Sequence, residues 1–158
     1  VFPIFIFDTN ILNKLPKDDK RVTFIYGSVL ELKKELQKIG LDLAIFYGDP
    51  IEIFKTFVKE FDEVLCSCDF DSYAIKRDKE VEKLLPMKRF YDSFILNPED
   101  GLKKDGTPYK VFTPFYKNLH YFWESSRLEE YKRDNELKLL EYEYSNIPSL
   151  EELGFIKQ

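Results

Sequence analysis

The chain has 158 residues, 44% hydrophobic and 34% charged, with a formal net charge of −5. That length holds one domain with a real core and hardly two, and the composition is that of an ordinary globular protein. No apolar run approaches the ~20 residues that cross a bilayer, and no long basic run offers the counterion-releasing face of a duplex-binding domain. Val1 is not a start methionine and no cleavable signal pattern follows it. The sequence therefore reads as a piece of a longer, cytoplasmic protein.

Val1 to Phe7 is an apolar run ending at Asp8, which predicts a strand buried on both faces. Asn13 to Lys20 is a polar loop, and Val22 to Ile25 is short and extended or a loop leading onward. Ser28, with Glu31 three residues later, forms a capping box. Val29, Leu32, Leu36 and Ile39 then share one helical face, and Gly40 ends the helix. Leu41 to Tyr47 is a second buried strand. Asp49 caps and Pro50 opens a helix reaching about Phe61. Val64 to Cys68 is a third strand, Asp71 or Ser72 caps a helix running to Leu85, and Lys88 to Leu96 holds a fourth strand. This alternation predicts an α/β fold, a Rossmann-like parallel sheet with right-handed crossovers and helices on both faces.

From Asn97 the pattern changes. Asp105-Gly106 is turn chemistry within a hairpin, and Tyr109, Val111 and Phe112 favour an extended, half-buried backbone. Thr113-Pro114 reads as an N-cap and first helical position, followed by inward-packing aromatics from Phe115 to Trp123. Arg127 to Leu140 is charged and helical. Glu141 to Gln158 reads as an acidic surface tail with one helical turn at Pro148 to Leu153. Residues 1–125 thus form the α/β domain and 126–158 a linker.

Ligands of open parallel sheets bind outside the carboxyl ends of the strands. Phe7-Asp8-Thr9-Asn10, Tyr47-Gly48-Asp49 and Cys68 to Tyr73 fall there. No G-x-G-x-x-G and no P-loop motif is present, so a standard dinucleotide or P-loop site has no support. Asp8 and Asp69 can accept hydrogen bonds from a ligand ring or ribose, or can serve helix N-termini and turn amides. Arg21 can stack on a planar ligand or pair with Asp8. Arg77-Asp78 fits a structural ion pair. Cys66 and Cys68 lie two apart on one strand face, which is poor disulfide geometry, and read as small hydrophobes in a reducing compartment. His120 is the only histidine, which leaves little material for a Ser-His-Asp triad, and it reads as a structural helix residue.

The run Gly106-Thr107-Pro108-Tyr109-Lys110-Val111-Phe112-Thr113-Pro114-Phe115 is the most distinctive stretch. Together with Tyr73-Ala74-Ile75-Lys76-Arg77-Asp78, Ile4 to Asp8, Tyr47 to Pro50 and Glu152-Leu153-Gly154-Phe155, it resembles the N-terminal domain of the DNA photolyase and cryptochrome family. The resemblance covers nearly the whole chain. It implies a domain holding an antenna chromophore, which is a deazaflavin, FMN or FAD, or methenyltetrahydrofolate. The antenna passes excitation energy to a catalytic FAD in a separate C-terminal helical domain, a lyase that repairs cyclobutane pyrimidine dimers. No counterpart of that flavoprotein domain lies in this sequence, so the piece alone is expected not to repair DNA and to meet damaged DNA only within the full-length protein. The positions that resemble the antenna contacts are Phe5, Phe7, Asp8, Arg21 and Asp69. Thr107 and Pro108 stand where folate-type members carry a glutamate, which disfavours the folate. The resemblance also implies a missing first strand, central in the sheet and bearing a Trp-Phe-Arg and Asp-Leu-Arg pattern. Its place is expected to be filled by a segment outside this sequence or by a partner chain, as in a homo-oligomer.

Asp8-Thr9-Asn10 also resembles the opening of PIN-domain nucleases. That metal-dependent RNA cleavage needs Asp8, Glu31 or Glu35, Asp69 and Asp71 to converge on Mg²⁺ or Mn²⁺. A plain nucleotide-binding domain of the stress-protein type is a third reading.

Overall fold

The computed structural model describes residues 1–93, 97–125, 138–140 and 147–157. Strand β1 (Ile4–Asp8) leads into a single turn α1 (Thr9–Leu12) and the long helix α2 (Lys20–Lys38). Then follow β2 (Ala44–Gly48), α3 (Pro50–Phe57), β3 (Val64–Ser67), α4 (Ser72–Glu82) and β4 (Met87–Phe90). A 3₁₀ turn at Pro98–Gly101 and helix α5 (Phe112–Ser125) complete the order.

The first four helices start by one device. Asp8, Asp19, Asp49 and Asp71 each hold an extended backbone and accept the N–H of the residue two places on. Each therefore satisfies an amide that the first helical turn cannot. Asp49-Pro50 forms the expected cap and first-turn pair. Gly40 takes φ +76° after α2, a left-handed conformation that suits glycine at a helix end.

Among the described residues both strand pairs are parallel, as the alternating pattern predicts. β1 pairs with β2, Ile4 opposite Ala44 through Asp8 opposite Gly48. β3 pairs with β4, Val64 opposite Met87 through Ser67 opposite Phe90. Among the described residues no ladder joins the two pairs. They stand side by side, with α3 packed on α4. Between them lies a cleft of about 620 Å³, lined on one side by Val1 to Ile4 and on the other by Asp62 to Leu65 and Leu85. Phe54, Phe57 and Phe61 of the α3 region also line it.

Helices cover both faces of the β1–β2 pair. Phe5, Phe7, Leu43 and Ile45 meet Val22, Tyr26 and Val29 of α2. On the other face Phe46 packs against Phe57, centroids 5.5 Å apart.

Several expectations are corrected. Val22 to Ile25 is neither extended nor a loop, because the Asp19 cap starts α2 upstream of it. Ser28 caps nothing; it sits mid-helix and its hydroxyl donates to the Phe24 carbonyl. The buried stripe of α2 runs through Val22 and Val29, leaving Leu32 and Ile39 exposed. Helix α5 begins at Phe112, before Thr113-Pro114, and Val111 and Phe112 are exposed rather than half-buried. The Asp105-Gly106 turn forms, bracketed by an antiparallel bridge from Leu102 to Pro108. Residues 94–96 of the expected fourth strand, and most of the expected Arg127 to Leu140 helix, lie outside the described residues.

The tail differs most from its surface reading. Ser149 and Glu152 form a reciprocal capping box, Ser149 N–H to Glu152 Oε2 at 2.7 Å and Glu152 N–H to Ser149 Oγ at 3.1 Å. The turn it starts delivers Leu150, Leu153 and Phe155 into the core shared by Phe7, Leu12, Val22 and Val29. Leu153 is only 2% exposed. Leu153→Ala should cost about 2–5 kcal/mol, because it removes transferred apolar area and leaves a cavity. Urea unfolding monitored by circular dichroism measures this, and an unchanged midpoint would mean the tail is not docked in solution.

Candidate functional site

The carboxyl ends of β1, β2 and β3 bring a polar network together. Asp8, the last residue of an apolar strand, is buried, 6% exposed. Its Oδ1 accepts the Asn10 N–H at 2.8 Å, and its Oδ2 accepts the Tyr73 hydroxyl at 2.5 Å. The Asn10 side-chain amide donates to Asp49 Oδ2 at 2.8 Å. One short chain of bonds therefore links α4, β1 and the β2–α3 turn. The Asn10 hydrogen bond, with the amides of the α3 start, holds the Asp49 carboxyl below its ordinary range. Burial, then the hydrogen bond to Asp8, pushes the Tyr73 hydroxyl up to about 12. Lys14 Nζ lies 5.4 Å from the centre of the Tyr73 ring.

The residues singled out from the sequence do not gather at one point. Phe5 and Phe7 turn toward α2, with ring centroids 5.0 Å apart and Phe7 against Tyr26 at 6.0 Å. Phe7 is fully taken up by the core. Arg21 gives its guanidinium to Asp19, Nη2 to Oδ2 at 2.6 Å, not to Asp8. Asp69 is exposed and accepts the Asp71 N–H at 3.0 Å, an Asx turn ahead of α4. Asp8 does serve a helix N-terminus. Among the described residues no three His, Cys, Asp or Glu side chains could hold one metal ion, so the convergence that RNA cleavage requires is not made by Asp8, Glu31, Glu35, Asp69 and Asp71.

Other expectations hold. Arg77 Nε and Nη2 donate to Asp78 Oδ1 at 2.9 and 2.8 Å, with Asp78 buried. Cys66 and Cys68 are free thiols, half-buried. Burial, with the Asp78 charge nearby, pushes the Cys66 thiol up, the inert end of cysteine chemistry.

A second concavity lies beyond the ends of β3 and β4. It encloses about 690 Å³ between Phe70, the Pro98–Gly101 turn and one side of α5, where Phe115, Tyr116, Leu119 and Trp123 line it. Gly101 faces α5: a Cβ there would meet the Phe115 ring at 3.4 Å, an ordinary van der Waals contact. The Asn118 amide donates to the Asp100 carbonyl at 2.7 Å and pins α5 to the turn. Sequence reasoning assigned these rings to the core. The missed signal is that Tyr116, His120 and Trp123 share a helical face that includes exposed Phe112.

The sequence pattern of the DNA photolyase family matches residues 1–132. The chain belongs to the DNA photolyase family, as its N-terminal domain. A deoxyribodipyrimidine photo-lyase of Synechococcus is 24% identical over 96% of this chain and 34% of its own length. The crystal structure of a bacterial class III photolyase from Agrobacterium tumefaciens superposes with a TM-score of 0.73 over 96% of this chain and 32% of its own, at 22% identity. An archaeal photolyase from Sulfolobus tokodaii, crystallised with two FAD molecules, gives 0.61 over 74% of this chain and 27% of its own, at 28% identity. The photolyase domain described here thus spans about a third of the length of these relatives or less. None of its described helices is long and apolar enough to cross a membrane.

Proposed function

We propose that this photolyase domain is the light-harvesting part of a deoxyribodipyrimidine photolyase. It binds an antenna chromophore at the carboxyl side of its strands and serves an FAD-bearing helical domain in the same cytoplasmic protein. The family match over residues 1–132 carries this reading. The aromatic concavity at the ends of β3 and β4 supports it, since 690 Å³ lies within the range of small-ligand pockets. The Sulfolobus relative's structure, with two FAD molecules and an implied novel light-harvesting cofactor, favours a flavin as the antenna class. Damaged DNA is met only through the full-length protein.

Absorbance titration of the domain with FMN, FAD, 8-hydroxydeazaflavin and methenyltetrahydrofolate tests this. The expected result is saturable binding of at least one, with a shifted absorption band. Absence of binding by all four would end the antenna reading.

The same reading gives the 620 Å³ cleft a role. In a parallel strand alternate residues direct both backbone groups to one neighbour. The Ala44 N–H bonds the Pro3 carbonyl, and Val64 and Cys68 N–H groups bond Pro86 and Phe90 carbonyls. Ile4 and Ile6 of β1, and Leu65 and Ser67 of β3, therefore turn theirs toward the cleft. We propose that one further parallel strand lies between β1 and β3 and joins the two pairs into one sheet. A segment of the full-length protein or a second copy of this chain can supply it.

A further inference from the structure

We infer that the concavity between Phe70, the Pro98–Gly101 turn and α5 seats an uncharged planar heteroaromatic ring, and that any charged tail of the ligand stays outside it. The inference rests on the antenna reading and sharpens it. Ring faces bound the space from two directions. Phe70 comes from the loop after β3, where it stacks on Tyr91 with an interplanar angle of 11°. Phe115, Tyr116 and Trp123 come from α5. Aromatic rings in the wall suit a flat guest, since aromatic pairs favour offset stacking or edge contact. Among the described residues the polar side chains at the wall are Ser93, Asn97 and His120, with the Tyr116 hydroxyl and the Trp123 indole N–H.

Among the described residues no lysine, arginine, aspartate or glutamate lines the space. A phosphate or a carboxylate tail placed inside would lose its water without gaining a countercharge, which is costly. A heteroaromatic ring with carbonyl and ring-nitrogen atoms meets no such penalty: its faces find rings and its edge finds Ser93 and Asn97. The walls are also held in place without a ligand, by the Asn118 to Asp100 hydrogen bond and by the Tyr109–Phe115 contact at 6.2 Å. By contrast, the polar network around Asp8 is closed on itself, with both carboxylate oxygens occupied by Asn10 and Tyr73.

The experiment compares riboflavin, FMN and FAD in equilibrium titrations of the domain, then repeats them with Trp123→Ala, Leu119→Arg and Phe112→Ala. Phe112 is 72% exposed on α5, stacks on Tyr116 with centroids 5.9 Å apart and does not itself line the space, so its variant separates the seat from the wider face. Far-ultraviolet circular dichroism establishes that each variant folds. The three flavins should bind within about threefold of one another, because the added phosphates stay in water. Trp123→Ala should weaken binding about tenfold, the loss of one stacking partner. Leu119→Arg should abolish it, and Phe112→Ala, which touches the seat only through Tyr116, should weaken it by less than about threefold. Flavin binding that survives both Trp123→Ala and Leu119→Arg would overturn this seat while leaving the antenna reading intact. A strong preference for FMN or FAD over riboflavin would overturn the claim about the tail. Equal weakening by Phe112→Ala would show that the face docks a larger partner instead. If no flavin binds the parent domain, the seat falls for flavins, and the antenna reading falls with it only when deazaflavin and folate fail as well.

Discussion

Supplying an extended apolar segment to the cleft between β1 and β3 should stabilise the domain by ~3 kcal/mol, net of the ordering of its own backbone. Four edge residues, Ile4, Ile6, Leu65 and Ser67, turn backbone donors and acceptors toward that space, and apolar groups of Val64, Leu65, Leu85 and Phe57 surround it. A strand inserted there gains hydrogen bonds on both sides and buries every second side chain on each face. The practical form is a fusion: a five- to seven-residue strand rich in valine and isoleucine, joined ahead of Val1 by a linker of about a dozen residues, the least a parallel crossover needs. The urea midpoint should rise, and the slope should rise with it, since more surface is then exposed on unfolding. Proline at alternate positions of the added strand should cancel the gain, because proline offers no N–H to a ladder. Without the segment the same edges should pair between molecules, so sedimentation should show association that grows with concentration and disappears in the fusion. Equal midpoints for the parent, the fusion and the proline variant would refute a strand-accepting cleft.

The parallel α/β pattern was legible because its cues are local. Asp49-Pro50, Asp71 and Gly40 each state a helix boundary within two or three residues, and the structure uses all three. Strand identity was legible in Ile4 to Asp8 and Val64 to Cys68 through short apolar runs between turn signals. Val22 to Ile25 misled because its β-branched and aromatic residues carry strand propensity, while the Asp19 cap starts a helix that buries Val22 against Phe7 and Ile45 and leaves Phe24 and Ile25 exposed. The tail misled by composition. Its charge reads as solvated surface, yet three apolar residues at Leu150, Leu153 and Phe155 suffice to dock it. The candidate site was only half legible. Placement at the carboxyl ends of strands follows from topology. The direction in which Phe5 and Phe7 point depends on which face α2 covers, and local spacing does not carry that. For the same reason the α5 rings read as core: an aromatic stripe has the same spacing whether it is buried or bounds an open concavity.

Asp8→Ala should destabilise the domain by about 2–4 kcal/mol, because it removes an N-cap and a charge-assisted hydrogen bond together and leaves the Tyr73 hydroxyl without that acceptor. The effect should carry a signature in alkali that simple loss of packing does not produce. Tyr73 keeps its proton in the folded protein up to about pH 12, whereas an unfolded tyrosine releases it near pH 10. The raised value favours the protonated form in the fold. The resulting stability is fully present below pH 10 and is lost as pH climbs toward 12, where the unfolded chain has shed a proton that the folded chain still holds. The loss attributable to this one group should be about 1–2 kcal/mol, allowing for the solvent the ring still meets. Tyr73→Phe isolates it. The difference in unfolding free energy between the parent and Tyr73→Phe should be constant from pH 7 to 9 and should shrink between pH 10 and 12. Asp8→Ala should flatten that dependence, since it deletes the carboxylate whose charge and hydrogen bond help to hold the proton. If the difference keeps one value across the whole range, the Asp8–Tyr73 bond does not join the two strand pairs in solution, and the cleft between them is held by helix packing alone.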